Sequence, residues 1–377
     1  MIDPIFHMFK IKHATLDRLK VLDPNMDRVH IYINLESVFN KLINPRVNNY
    51  LMASIRGEED KSKLKLTLVS HVINLAQHYR LYCAKHRKES RIILYWNYPI
   101  STNYTNRKYI VDYRSYYNHK MFRNEECSFL VECIRDAFHV LEKMVQFINE
   151  VYLITGGEME SSVVPVIMEE YVYQDYTNHT QKIIISDSKY DFQYVNQPGF
   201  TVIESAKDKS VVVDQGNVIE LLKERMGIKS ILTVPNKLIP FVICLLGDRY
   251  RNIPKLAGVG MSTILKMANK AIQTHMITES TTDVDMLTEI ISDTYKEQFR
   301  KNYLCTNIDY QKKDVNPLMI SLIRQQVLYK FDDRTLKVMN EKYFLHCPIM
   351  LIETKTNQVM GTYSDKSPIV WEKKKTQ

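Results

Sequence analysis

The sequence predicts an α/β fold: a mostly parallel central sheet with helices on both faces, followed by a helical subdomain. Three observations carry this. The runs 29–34 (VHIYIN), 92–96 (IILYW) and 182–186 (KIIIS) are strand-length, largely apolar and rich in β-branched or aromatic residues, as strands buried on both faces are. Long helical patterns separate them, which is what parallel strands need for their crossovers. Past a punctuated stretch at 215–235 (Gly216, Gly227, Pro235), helical patterns dominate to about residue 305.

In chain order, residues 1–27 form a polar extension without strong periodicity. The first strand ends at Asn34, and a helix is expected from about Glu36. A long helix is expected over 64–84, where Leu64, Leu68, Val69, Val72, Ile73 and Leu75 supply an apolar face. The second strand follows at 92–96. Residues 98–125, rich in Tyr, Asn, Arg and Lys, predict a long exposed loop or a partly helical segment. A helix is expected across 126–148, its Phe129, Leu130, Ile134, Phe138, Leu141 and Val145 facing the core. A short apolar piece (151–154) leads to Gly156-Gly157, and a helix is expected over 158–172. After the third strand, 202–204 and 211–213 predict a hairpin. The expected organisation is therefore an extension (1–27), an α/β domain (28–215), a helical region (216–310) and a C-terminal extension (311–377) with a charged tail.

The chain has 377 residues, 45% hydrophobic and 25% charged, enough for one or two packed domains. A net charge of +8 biases it toward polyanionic partners. Six cysteines without a CxxC pair predict neither a disulfide framework nor a zinc site. No signal peptide and no run of 18 apolar residues is apparent in the sequence, so a soluble cytoplasmic protein without a membrane partner is expected. The 24 tyrosines, beside many Asn, Ile and Lys, hint at an AT-rich genome such as a phage or large virus, and thus at a host-cell cytoplasm.

The most informative stretch is 247–270. Gly247-Asp248, Asn252-Ile253-Pro254 and Gly258-Val259-Gly260 stand at fixed offsets, and Ser262-Thr263 open the next helix. Glycines there permit a tight turn and close backbone approach. The N–H groups at the start of the following helix favour an anion. Lys255, Lys266 and Lys270 surround the turn, so Gly258, Gly260, Ser262 and these lysines make a grip for a phosphate backbone that reads no bases. A bare GxG before a helix is more often a punctuated turn with solvated lysines; the longer pattern reverses that weighting.

This stretch resembles the helix–three-turn–helix (helix-hairpin-helix) element of the flap endonucleases and phage-type 5′-3′ exonucleases, which have a PIN-like fold. The resemblance runs from about residue 28 to 310 and closes on Phe299-Arg300-Lys301-Asn302-Tyr303-Leu304. It implies two divalent ions, Mg²⁺ or Mn²⁺, held by carboxylates at the strand ends, and K⁺ at the helix-hairpin-helix turn. Several ligand positions differ. Asn34 and Asn97 stand where the family has Asp at the ends of the first two strands. The acidic helix start keeps Glu158 and Glu160 but has Ser161. After the third strand, Ser188 and Tyr190 fall on two ligand positions, and a one-residue shift rescues only Asp187, with Lys189 taking the other. Asp248 is kept, while Arg251 replaces its acidic companion.

Two-metal cleavage needs carboxylates around both ions. Glu158, Glu160 and Asp248 are therefore the vestigial catalytic candidates, and with Asp187 the metal candidates; Glu36 and Asp191 are near neighbours. Each has a plainer reading. Glu158 and Glu160 suit a helix start, Asp248 suits a Gly-Asp turn, and Asn34 and Asn97 suit polar strand ends that close a turn. In the basic, aromatic stretch 104–123, the resemblance implies an arch over the site. Its Arg114 and Lys120 would attract a single-stranded end by charge while tyrosines stack on bases.

Three functions are expected to compete. The first is a flap-endonuclease-like DNA-binding protein with nuclease activity lost or much reduced, taking branched, nicked or tailed duplex, or an RNA–DNA hybrid. The second is an active metal-dependent 5′-3′ exonuclease or RNase-H-like nuclease with a reduced metal site. The third is a viral structural or assembly protein that reuses the fold within a protein complex.

Overall fold

In the computed structural model, the described residues are 16–40, 45–96, 128–155 (147 and 149 apart), 161–174, 179–205, 210–227, 239–248, 253–256, 291–328 (292, 314 and 316 apart), 349–353 and 358–363. Their centre is a six-stranded sheet of order β3-β2-β1-β4-β5-β6. The strands are β1 (Arg28–Asn34), β2 (Glu89–Trp96), β3 (Val151–Thr155), β4 (Thr180–Ile185), β5 (Phe200–Ser205) and β6 (Ser210–Val213). The first five are mutually parallel; β6 returns antiparallel on β5, as the expected hairpin. The apolar piece at 151–154 is itself the edge strand β3, and the hairpin strand β5 runs parallel to β4, so the sheet has two parallel strands more than the three expected.

The two-residue period of the strands splits the interior into two cores. Val29, Ile31, Ile33, Ile92, Leu94, Trp96, Ile183 and Ile185 face one side. The helices α1 (Leu16–Leu19), α2 (Leu35–Asn40), α3 (Pro45–Ser54), α4 (Glu58–Lys85) and α5 (Ser128–Val145) are associated with that side. Leu64, Leu68, Val72, Ile134, Phe138 and Leu141 bury the stripes that their sequence spacing implied. Trp96 sits between Phe39 and Phe138, at ring separations of 5.0 and 5.2 Å. Burying each such aromatic is worth about 1.5–3 kcal/mol.

Tyr32, Ile93, Tyr95, Tyr152, Ile154 and Ile184 face the other side. There the cover is α6 (Val164–Ile167), a 3₁₀ segment (Asp191–Asn196), α7 (Val218–Met226), α8 (Ile239–Leu246) and α9 (Asp293–Thr306). The helix expected over 158–172 is not one regular helix. A 3₁₀ turn (Ser161–Val163) leads into α6 and then a π-helical turn, Met168–Tyr173. The cause is a buried polar knot. Glu169 accepts from the Tyr32 hydroxyl, and its Oε1 lies 2.6 Å from His30 Nδ1, while Lys182 Nζ stands 3.9 Å from its other oxygen. Reaching these partners from the end of α6 widens the last turn.

The same π turn anchors chain from the C-terminal side. α10 (Ile308–Lys313) runs across the boundary expected at 310 and brings Lys312 to Glu170 at 2.7 Å. α11 (Pro317–Leu328) brings the Arg324 guanidinium to the Tyr171 carbonyl, with bonds of 2.6 and 3.1 Å. Beyond it, β7 (Ile349–Glu353) and β8 (Gln358–Tyr363) form an antiparallel pair. Among the described residues no helix is long and apolar enough to cross a membrane.

Candidate functional site

The chain leaves β1 toward β2 and β3 on one side, then returns to β4 on the other. β1 and β4 are therefore adjacent, with Ile33 opposite Ile185. The carboxyl ends of strands at such a reversal open a crevice, and ligands of open α/β sheets bind there. Alternation along β1 turns His30, Tyr32 and Asn34 to one face of the sheet, so Asn34 points from the strand end into this place.

Asn34 is fully buried and uses both ends of its amide. Its Oδ1 accepts from the backbone N–H of Glu36 (3.0 Å) and of Ser37 (3.4 Å), closing the turn into α2. Its Nδ2 donates to Asp191 Oδ2 at 2.8 Å. Tyr95, at the end of β2, donates its hydroxyl to the same oxygen at 3.0 Å. Asp191 Oδ1 and the buried Ser162 Oγ make no hydrogen bond of good geometry. Burial pushes the Asp191 carboxyl above the ordinary range, while Ser186, Asn34, Ser162 and Tyr95 pull it back without cancelling the shift. Burial likewise keeps the Tyr95 phenol protonated, so it remains a donor. Beneath this pair, Ser37 Oγ and Ser186 Oγ lie 3.2 Å apart, and Ser37 Oγ accepts the Asp187 N–H at 3.0 Å.

A second wall comes from the Gly-Asp turn. α8 is apolar and buried throughout, and ends where Gly247 takes a φ of +65°. A Cβ at this position would meet Lys255 N at 2.5 Å, Ile253 O at 2.6 Å and the Pro254 carbonyl carbon at 2.7 Å, so only glycine fits. Asp248 and Ile253 then exchange backbone hydrogen bonds of 2.8 and 2.9 Å, closing the loop between them. From α9, Asn302 donates to the carbonyls of Cys244 (3.0 Å) and Pro254 (2.6 Å), clamping both arms of the turn. The spacing of Gly247-Asp248 and Ile253-Pro254 thus has a physical cause. This closed loop delivers the buried Asp248 carboxylate to the Tyr190 hydroxyl at 2.8 Å and to Lys189 Nζ at 3.2 Å. Gln193 holds the 3₁₀ segment behind them: its amide donates to the carbonyls of Tyr190 (3.1 Å) and Thr306 (2.8 Å) and accepts from the Ile308 N–H (3.2 Å).

Of the residues expected from the sequence, Asn34 and Asp248 meet here, one through Asp191 and the other through Tyr190, its neighbour in the chain. Asp187 lies in the same loop, half-buried. Lys255 is exposed and follows the turn directly. Glu158, Glu160, Asn97, Arg251, Gly258, Gly260, Ser262, Lys266, Lys270, Arg114 and Lys120 lie outside the described residues. Asp191, expected as a near neighbour, is the buried carboxylate that Asn34 and Tyr95 share. The signal that could have found it is the spacing Asp191-x-Gln193, which sets one side chain inward to Asn34 and the other toward α9.

Among the described residues no three of His, Cys, Asp and Glu gather in a form that could hold a metal ion. The donor set explains this. Asn34 presents N–H groups to Asp191, and Asp248 already faces an ammonium and a phenol; a hard divalent ion needs free oxygen lone pairs. The described part of the site does not fit such an ion.

No protein-family model matches the sequence, and no curated protein matches it. Among solved structures, the chain is similar to the bacteriophage T5 flap endonuclease in a complex with DNA and metal ions, at 11% identity and a TM-score of 0.48, over 80% of this chain and 98% of that one. It is also similar to the catalytic core of Rad2 with DNA substrate, at 11% identity and a TM-score of 0.35, over 88% and 94%. A third is the eukaryotic junction-resolving enzyme GEN-1 with caesium, at 10% identity and a TM-score of 0.40, over 91% and 74%. At such identities and scores the likeness decides nothing about activity.

Proposed function

We propose that this protein binds branched, nicked or tailed duplex DNA through phosphate contacts and cleaves it slowly or not at all. One observation carries the reading. Asp248 is built into an intact, glycine-dependent turn, yet the strand-end positions it would work with hold groups that already pair with one another: Asn34 on Asp191, and Tyr190 and Lys189 on Asp248. The closed turn that leads toward Gly258–Gly260 supports DNA binding, and the pairing at Asn34, Asp191 and Asp248 supports a weakened hold on ions. Two-metal cleavage places charge on both ions in the transition state, and losing one costs several kcal/mol, hence at least about 10²–10³ in rate. Phosphate binding needs no such ions, and the net charge of +8 favours it.

The test uses the full chain with 5′-flap, nicked, tailed and blunt duplexes and an RNA–DNA hybrid. Anisotropy across a salt series should show binding to the DNA forms that weakens steeply with salt, and Mg²⁺ or Mn²⁺ should elicit little cleavage. Robust metal-dependent turnover that Glu158→Gln and Glu160→Gln abolish would replace this reading with an active exonuclease of reduced site. No binding to any nucleic acid at low salt would leave the viral assembly role in its place.

A further inference from the structure

The misfit between this pocket and a divalent ion has a specific agent. Lys189 stands on the loop after β4, and its Nζ is 3.2 Å from Asp248 Oδ2. The two side chains are only 16% and 5% exposed. The Tyr190 hydroxyl donates to the same oxygen, and the Lys189 ammonium lies 5.6 Å from the Tyr190 ring centre. The loop that carries the lysine is itself fixed. The Ser188 carbonyl accepts from the Asp191 N–H at 3.0 Å, and Ser186 Oγ accepts from the Ser188 N–H at 3.0 Å. The ammonium is therefore placed by the fold, between the Gly-Asp turn and the strand ends.

An ion pair this shielded has given up most of its hydration, so each charge depends on the other. A divalent ion on the same oxygen, with a metal–oxygen distance of about 2.1 Å, would come within about 5 Å of the ammonium 3.2 Å away. Like charges at that range, poorly screened, repel strongly. We propose that Lys189 is a resident cation: its ammonium takes the place of a divalent ion at Asp248 and keeps such ions out of the strand-end pocket. The inference rests on the reading of this pocket as the altered counterpart of a 5′-nuclease metal site, and it needs no nucleic acid to be bound.

The experiment is Mn²⁺ titration of the full-length protein without DNA, followed by electron paramagnetic resonance or calorimetry, with thermal melting alongside. Wild type should show no saturable Mn²⁺ site in the millimolar range. Lys189→Met should bind Mn²⁺ at least about tenfold more tightly, and its Tm should rise with Mn²⁺ because only the folded state binds. Lys189→Arg keeps the charge and should match wild type. Adding Asp248→Asn to Lys189→Met should erase the gained site, which locates it. If Lys189→Met does not fold, Lys189→Gln carries the same expectation. Mn²⁺ binding by wild type as tight as by the variant overturns the inference, and so does a folded variant that gains none. DNA affinity is not among the readouts, so failure of DNA binding would sink the proposed function and leave this result standing.

Discussion

Two buried carboxylates, Glu169 and Asp191, lie on the same face of the sheet at opposite ends, and the fold treats them differently. Glu169, near the amino ends of β1 and β4, has His30 and Tyr32 on one oxygen and Lys182 near the other. Asp191, at the carboxyl ends, has Asn34 and Tyr95 on one oxygen, the Ser186 and Ser162 hydroxyls also acting on its carboxylate, and no hydrogen bond of good geometry on the other oxygen. Each unpaired buried group costs about 1–3 kcal/mol. Neither end is complete, since the buried Tyr173 hydroxyl beside His30 and Asp191 Oδ1 both lack a hydrogen bond of good geometry, but Glu169 has a partner at each oxygen.

The comparison breaks most directly at Glu169. Removing one partner of a buried charged pair typically costs about 3–5 kcal/mol. Glu169→Ala strands His30 and Tyr32 and loosens the π turn that Lys312 and Arg324 grip from outside. Urea unfolding should show a loss of that size, and a loss below about 1 kcal/mol would mean that the knot is not what anchors Met168–Tyr173.

At the carboxyl end of the sheet the largest stability effect should come not from a charge but from Gly247. Its φ of +65° and three backbone atoms within 2.7 Å of a would-be Cβ leave no room for alanine. Gly247→Ala should cost about 2–4 kcal/mol in the same unfolding experiment. It should also release Asp248 from Tyr190, so any Mn²⁺ site gained in Lys189→Met should vanish in the double variant. A neutral Gly247→Ala would show that the closed turn is not obligatory.

Asp191 sharpens the contrast through pH. Burial raises its carboxyl above the ordinary value of 3.8. The folded protein therefore holds this proton more tightly than the unfolded chain. Between the ordinary value and the raised one the native state binds more protons, so stability falls as pH rises through that window and is level above it. Asp191→Asn has no proton to lose, and its amide oxygen still accepts from Asn34 and Tyr95. Its stability relative to wild type should climb through the window and plateau, with a gain smaller than the loss in Gly247→Ala. A difference that is flat with pH would mean that Asp191 is ionised throughout.

The alternation in 29–34, 92–96 and 182–186 was legible because each residue's face is set by backbone geometry alone, and the two cores follow it residue by residue. The Gly-Asp turn was legible because Gly247 is obligatory in its place. The π turn was not, since its register depends on Glu169 reaching residues 139 and 137 positions away. Nor was the centrality of Asp191, whose partner Asn34 is 157 residues distant. Lys189 was visible as a residue at a ligand position; that it would sit on Asp248 required the fold of two loops together. Sequence shows which residue stands at a position, and only packing shows what that residue touches.

The smallest expected effect tests whether the carboxyl end faces a polyanion at all. Lys255 is exposed immediately after Pro254, where the chain leaves the clamped turn toward Gly258 and Gly260, and it is the one nucleic-acid candidate among the described residues. An exposed lysine with no role in the closed loop should be replaceable without loss of stability, so Lys255→Ala should leave the urea midpoint within experimental error of wild type. If it contacts a phosphate, each contact releases counterions, and the slope of log affinity against log salt should shrink by about 0.9 for duplex DNA. The weakening should be equal for flap, nicked and blunt forms, because a phosphate contact reads no sequence and no end. Lys182→Ala at the opposite end of the sheet is the matched control: it removes a charge near Glu169 and should leave the salt slope unchanged. Equal slopes for wild type and both variants would take Lys255 out of the interface and confine any DNA contact to parts of the chain beyond this turn.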